Sequence, residues 1–138
     1  MNALIKIVGT QTADGEEDVV ELTTNGTLER VGDGWKLCYN ETEATGMEGT
    51  VTQLDISRNR LTMMRSGTHP SMLILEKNRR HHCNYHTPYG TIDLGTYASE
   101  LSYDLDDHGG KVNFRYTLGF NGGISSDHNI DITVQEEK

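Results

Sequence analysis

Proline is almost missing from this chain, with two residues in 138, and so is cysteine, also with two. So little cysteine excludes a disulfide-stapled secreted scaffold. Cys38 and Cys83, both inside strand-like runs, read as two buried thiols in a reducing compartment. Positive charge is short as well: 12 Lys and Arg stand against 21 Asp and Glu, a formal charge of −9 that repels phosphate backbones and excludes general nucleic-acid binding. Apolar residues make up 34%, and no run of them is long enough to span a membrane. The first eleven residues carry one lysine and an apolar stretch too short for a secretory h-region. The expectation is a cytoplasmic, soluble protein with no nucleic-acid and no membrane partner. Also missing is any sustained helical period. At this length one domain, 1–138, with one core and no staples, is expected.

What the chain does have is short runs rich in β-branched and aromatic residues, punctuated by fifteen glycines. Strands are expected over 4–10, 19–24, 27–31, 35–42, 50–56, 61–65, 71–76, 79–87, 90–95, 100–106, 111–120 and 128–135. Asn25-Gly26 is a strong hairpin signal, because both residues tolerate positive φ. Asp33-Gly34, Ser57-Arg58-Asn59-Arg60, Lys77-Asn78 and Asp107-His108-Gly109-Gly110 supply further turns. Pro88 is expected to stop its strand, and only 97–101 has room for a helical turn. Connections this short favour antiparallel neighbours, so the fold class is all-β, an antiparallel meander. Closure into a barrel would remove its edges. An immunoglobulin-like sandwich fits less well, since Trp35 precedes both cysteines.

Strand parity then singles out a polar group on inward faces. Trp35, Leu37, Tyr39 and Glu41 share one face; Leu61, Met63 and Arg65 share another. Cys83, Tyr85, Thr87, Tyr103, Phe114, Tyr116 and Leu118 complete the expected interior. Buried tyrosine hydroxyls need partners, and an unpaired buried charge costs several kcal/mol by rough estimate. Two readings follow. In one, the interior is a cavity in which Arg65 receives a carboxylate. In the other, Glu41 and Arg65 form an internal pair ringed by tyrosines that fixes register, with no ligand. Around Pro88, Tyr85 and Tyr89 read as a rigid corner or as the rim of a barrel mouth.

Metal and catalytic chemistry find little support. His81 and His82 point to opposite faces, and His82 and His86 lie about 13 Å apart along one face. No Cys-x-x-Cys or His-Glu-x-x-His spacing occurs. There is no Gly-x-Ser-x-Gly elbow, P-loop or dinucleotide fingerprint, so no catalytic residue, metal or cofactor is assigned. Glu41 as a general base lacks a positioned nucleophile. Lys77, Arg79 and Arg80 form a basic hairpin tip, solvated or docking an anionic partner.

Several stretches together carry a family likeness: Tyr39-Asn40-Glu41 with Thr45-Gly46-Met47-Glu48-Gly49-Thr50, then Arg65-Ser66-Gly67, Tyr85-His86-Thr87-Pro88-Tyr89-Gly90 and Tyr116-Thr117-Leu118. In order and spacing the chain resembles the YwiB-like family of small bacterial proteins of unknown function. The resemblance implies a calycin- or lipocalin-like β-barrel of about 8–10 strands, and implies no activity. The expected function is a non-enzymatic barrel binding a small amphipathic ligand through Tyr39, Glu41, Arg65, Tyr85, Thr87 and Tyr116. The alternative is a protein–protein interaction module with a filled, purely structural polar interior. Oligomeric state is left open.

Overall fold

The computed structural model describes residues 1–67, 70–87, 89–121, 123 and 125–137, with 84–87 described in backbone only. The alternating runs form ten strands: β1 (Asn2–Ala13), β2 (Glu16–Val31), β3 (Gly34–Asn40), β4 (Thr50–Ser57), β5 (Arg60–Gly67), β6 (Ser71–Glu76), β7 (Arg80–Thr87), β8 (Gly90–Asp106), β9 (Gly109–Phe120) and β10 (Ser125–Glu136). They build one antiparallel sheet in the order β6-β5-β4-β3-β2-β1-β10-β9-β8-β7. Pairing of β1 with β10 joins the two halves of the meander and leaves β6 and β7 as its two ends. Those ends meet, and the result is a nearly closed barrel.

The seam between them is not a continuous ladder. β6 and the turn after it are tied to β8, by Asn78 N–H donating to the Ala98 carbonyl at 2.8 Å and Thr96 Oγ1 donating to the Ile74 carbonyl at 2.7 Å, and to β7 by His81 Nε2 lying 3.0 Å from Glu76 Oε1. Asn78 adopts φ 59°, which confirms the Lys77-Asn78 turn. Bringing the two end strands together shields part of the edges that would otherwise invite pairing with another chain.

Inward faces are apolar, as alternation requires: Ala3, Ile5 and Ile7; Leu37 and Tyr39; Leu54 and Ile56; Leu61 and Met63; Leu73 and Leu75; Val112, Phe114 and Tyr116; Ile132 and Val134 are all buried. Trp35 is buried too, with the Arg30 guanidinium 5.5 Å from its ring centroid.

Three expectations are corrected. Residues 97–101 hold no helical turn, and 90–95 and 100–106 are one strand, β8, with a bulge between Ala98 and Glu100. The bulge reverses parity, so that Leu94, Thr96 and Ala98 face inward before it and Leu101 after it. The resulting three-residue spacing from Ala98 to Leu101 imitates a helical step. Asn25-Gly26 is not a turn but the interior of β2, which runs unbroken from Glu16 to Val31. Gly26 is needed there for closeness: a Cβ would run into the Cys38 carbonyl and lie 3.0 Å from the Tyr39 Cβ. Finally, Cys38 and Cys83 are free thiols but only half-buried. Cys38 sits between the inward Leu37 and Tyr39, so parity turns it outward. Cys83 lies at the seam, its Sγ 3.4 Å from the Met72 carbonyl. The proposed stop at Pro88 falls outside the described residues.

In an antiparallel meander the odd-to-even connections gather at one end. The β1–β2 hairpin tip and the 41–49 loop therefore share an end, and Glu41 and Arg65, just beyond or near the ends of β3 and β5, lie at it. Gly26→Ala should overpack this wall and lower unfolding free energy by about 1–3 kcal/mol in urea titrations. Gly119→Ala, where the nearest atom lies 4.0 Å away, is the matched control and should be tolerated. Equal stability of the two variants would show that β2 yields at Gly26.

Candidate functional site

Register across four strands assembles one wall. Gly26, Tyr39, Thr52 and Arg65 are successive partners on β2, β3, β4 and β5. Neighbouring strands run about 4.7–4.9 Å apart, so Tyr39, Thr52 and Arg65 stand side by side. Glu41, two residues beyond Tyr39, keeps the same inward parity. Its N–H donates to the Thr50 carbonyl at 2.9 Å, prolonging the β3–β4 pairing past the end of β3.

Glu41 is buried, and threonines satisfy its carboxylate. Thr52 Oγ1 donates to Oε1 at 2.7 Å, and Thr45 Oγ1, reaching in from the 41–49 loop, donates to Oε2 at 2.9 Å. Arg65 stands further off, its Nε 3.8 Å from Glu41 Oε1. That is Coulombic contact without a hydrogen bond. Arg65 Nε is buried and has no hydrogen-bond partner among the described residues.

The opposite wall comes from β9 and β10. Tyr116 and His128 are cross-strand partners whose rings stack at 4.7 Å and 6°. Ser126 Oγ lies 2.7 Å from His128 Nε2. Burial is the main influence on all three titratable rings. It pushes the Tyr39 phenol well above its usual value, with the charge of Glu41 adding to the effect and Arg65 opposing it. Burial likewise raises Tyr116, against the pull of Arg65. It lowers His128, with Asp127 opposing. Both phenols therefore keep their protons at neutral pH and can donate hydrogen bonds.

Between the walls lies a cavity of about 340 Å³. Ile7, Leu22, Met63, Leu73 and Phe114 form its apolar lining, and Tyr39, Glu41, Arg65, Tyr116 and His128 its polar part. Gln11, Asp18 and Val20, on the inward parity of β1 and β2 but past the enclosed section, also border it. Val20 is 41% exposed where Leu22 is 3% exposed, so the overhanging β1–β2 hairpin marks the route to solvent. Among the described residues no group of His, Cys, Asp and Glu could hold a metal ion. Among the described residues no helix is long and apolar enough to cross a membrane.

Over residues 5–132 the sequence matches the family described as a domain of unknown function, DUF1934. The chain belongs to that family. It is 24% identical over 122 residues to the uncharacterized β-barrel protein YwiB of Bacillus subtilis (strain 168), covering 88% of this chain and 84% of that protein. The crystal structure of the ywiB protein from Bacillus subtilis aligns with a TM-score of 0.85 at 21% identity, over 99% of this chain and 92% of that one. At that identity the likeness establishes a shared β-barrel fold.

In this DUF1934 barrel, the structure brings together Tyr39, Glu41, Arg65 and Tyr116 from the six residues expected at the site. The side chains of Tyr85 and Thr87 lie outside the described residues. Sequence reasoning missed Thr52, Thr45 and His128. Thr52 was findable, since it shares parity with Leu54 and Ile56, and His128 shares parity with Ile130, Ile132 and Val134. Thr45 sits on a loop, where no period applies.

Two outcomes are expected. Thr52→Val removes a hydroxyl from a buried carboxylate and should destabilise by about 1.5–3 kcal/mol in chemical denaturation; a loss within 0.5 kcal/mol, roughly the scatter of surface substitutions, would mean that Glu41 finds another donor. His128, neutral when folded, refuses a proton that the unfolded chain accepts below about pH 6.5. The stability it contributes is full above that pH and is lost as pH falls towards the lowered native value. Unfolding midpoints measured from pH 7.5 to 5.5 should drop in the native protein and drop less in His128→Gln.

Proposed function

We propose that this protein is a non-enzymatic barrel that holds a small amphipathic molecule in its interior. The observation that carries this reading is the cavity of about 340 Å³, apolar over most of its wall, with charged and phenolic groups facing each other across it. Ligand pockets run from about 300 to 1,000 Å³ and combine apolar walls with a few placed polar groups. An amphipathic molecule matches that division: its apolar part lies against Ile7, Leu22, Leu73 and Phe114, its polar part against Arg65 and the tyrosines. A filled, purely structural interior, as an interaction module would have, leaves no such space. The reading agrees with a calycin- or lipocalin-like barrel, an analogy at the level of fold that names no ligand.

The outer wall supports an aqueous setting. Outward positions on β9 and β10 carry Asn113, Arg115, Thr117, Asp127, Asn129 and Asp131, cross-linked by hydrogen bonds such as Thr117 Oγ1 to Asp127 Oδ1 at 2.9 Å. A membrane-spanning barrel presents the inverse, with an apolar band outside.

A neutral fluorescent apolar probe, N-phenyl-1-naphthylamine, tests the reading. Saturable uptake at one probe per chain is expected, reduced at least tenfold by Leu73→Trp, which puts a larger ring into the lining and narrows the cavity. Near-ultraviolet circular dichroism from buried Trp35 verifies that the variant is folded. No uptake by the folded native protein would favour the interaction module instead.

A further inference from the structure

The ion pair is unequal in a way that decides which charge a bound molecule meets. Glu41 has spent its carboxylate oxygens on Thr52 and Thr45, at 2.7 and 2.9 Å, and only 2% of its side chain is exposed. Arg65 is 22% exposed, sits 3.8 Å from its partner and forms no hydrogen bond to it. A guanidinium carries five N–H donors in a planar fork and is always charged. In a pair designed only for itself, short forked N–H···O bonds would be expected. Here the threonines do the bonding, and the buried Nε of Arg65 is left without a hydrogen-bond partner among the described residues.

Resting on the cavity reading above, we propose that the ligand is a monoanionic carboxylate with an apolar tail, its head held by Arg65. Glu41 is then a positioning residue that fixes Arg65 electrostatically and does not touch the ligand. The charge sum favours the least charged anion: Arg65 and Glu41 already balance and Asp18 borders the same cavity, so the head is held by hydrogen bonds to the guanidinium and each further negative charge counts against it. A dianionic phosphate head would add two negative charges against a single guanidinium. A planar carboxylate fits the fork and adds one. Tyr39 beside Arg65 and Tyr116 on the facing wall, both protonated at neutral pH, offer further phenol groups to the cavity. A cationic head beside Arg65 fares worst, because the neighbouring carboxylate of Glu41 is enclosed while the guanidinium that would repel it is exposed, and Asp18 lies away at the β1–β2 hairpin.

Isothermal titration with decanoate, 1-decanol and decylamine at pH 7.5 tests this on the native protein. Decanoate is expected to bind at least tenfold more tightly than decanol, and decylamine more weakly than either. Arg65→Gln should bring decanoate down to the decanol level and leave decanol unchanged. Arg65→Lys, which keeps the charge and loses the fork, should fall between them and serves if the glutamine variant does not fold. Equal affinity for all three, or a decanoate preference that survives in both folded variants, overturns the head-group assignment while the cavity reading stands. If neither decanol nor the naphthylamine probe binds the folded protein, the cavity reading itself fails.

Discussion

A charge held inside a β-barrel must be bonded where the register puts it, and at this site the register is set by four strands. The row from Gly26 through Tyr39 and Thr52 to Arg65 fixes which side chains can reach Glu41. Burying a carboxylate costs several kcal/mol by rough estimate unless hydrogen bonds replace its water. Two threonine hydroxyls do so here, one on the strand next door and one on the loop that follows Glu41. A slip of β4 by one residue would turn Thr52 outward along with Leu54 and Ile56 and bring Gln53 and Asp55 inward, so that Glu41 would lose its hydroxyl donor and the core its apolar side chains. The polar site and the apolar core thus enforce the same register.

Curvature is the second requirement. A ten-stranded sheet closes only if some strands bend, and β8 bends at its bulge between Ala98 and Glu100. The bulge lets one long strand keep apolar residues inward on both sides of the bend. Gly26 gives the same help differently, by letting the backbones of β2 and β3 and the side chain of Ile5 come close. At the seam, single hydrogen bonds such as Thr96 Oγ1 to Ile74 O stand in for a ladder. Closure is then a matter of side chains as well as main chain.

Most of the fold was legible because a strand's period is two and its ends are marked by turn residues. Thr50–Ser57 and Ser71–Glu76 follow directly from alternation between turns. Alternation failed where local chemistry misdirects. Asn25-Gly26 has the residues of a tight turn, yet its glycine serves a close approach between backbones, which depends on packing and not on φ. The bulge in β8 changes parity without any residue that announces it. In the site, Tyr39, Glu41, Arg65 and Tyr116 were legible because charge and aromatics interrupted apolar faces. Thr45 was not, because its role depends on the path of the 41–49 loop, bonded internally by Thr45 N–H to the Thr42 carbonyl at 3.2 Å and Gly46 N–H to the Glu43 carbonyl at 3.0 Å. The thiols differ: Cys38 stands between the inward Leu37 and Tyr39 and so faces outward, while Cys83 packs against the core but sits at the open seam, where burial is incomplete.

A buried ion pair is a weak source of stability, since well-packed apolar residues of similar volume often do as well or better. That substitution works in a core already filled to the density of an organic crystal. Around Glu41 and Arg65 the space is not filled: about 340 Å³ adjoins them, bordered on its far side by Tyr116 and His128. Apolar residues placed there would gain little packing on the cavity side, because they would have no atoms to touch. A carboxylate anchored by threonines, by contrast, draws its bonding from the wall behind it. The polar site is therefore suited to the edge of a cavity in a way that an apolar replacement is not, and the wall supports Glu41 whether or not the space in front of Arg65 is occupied.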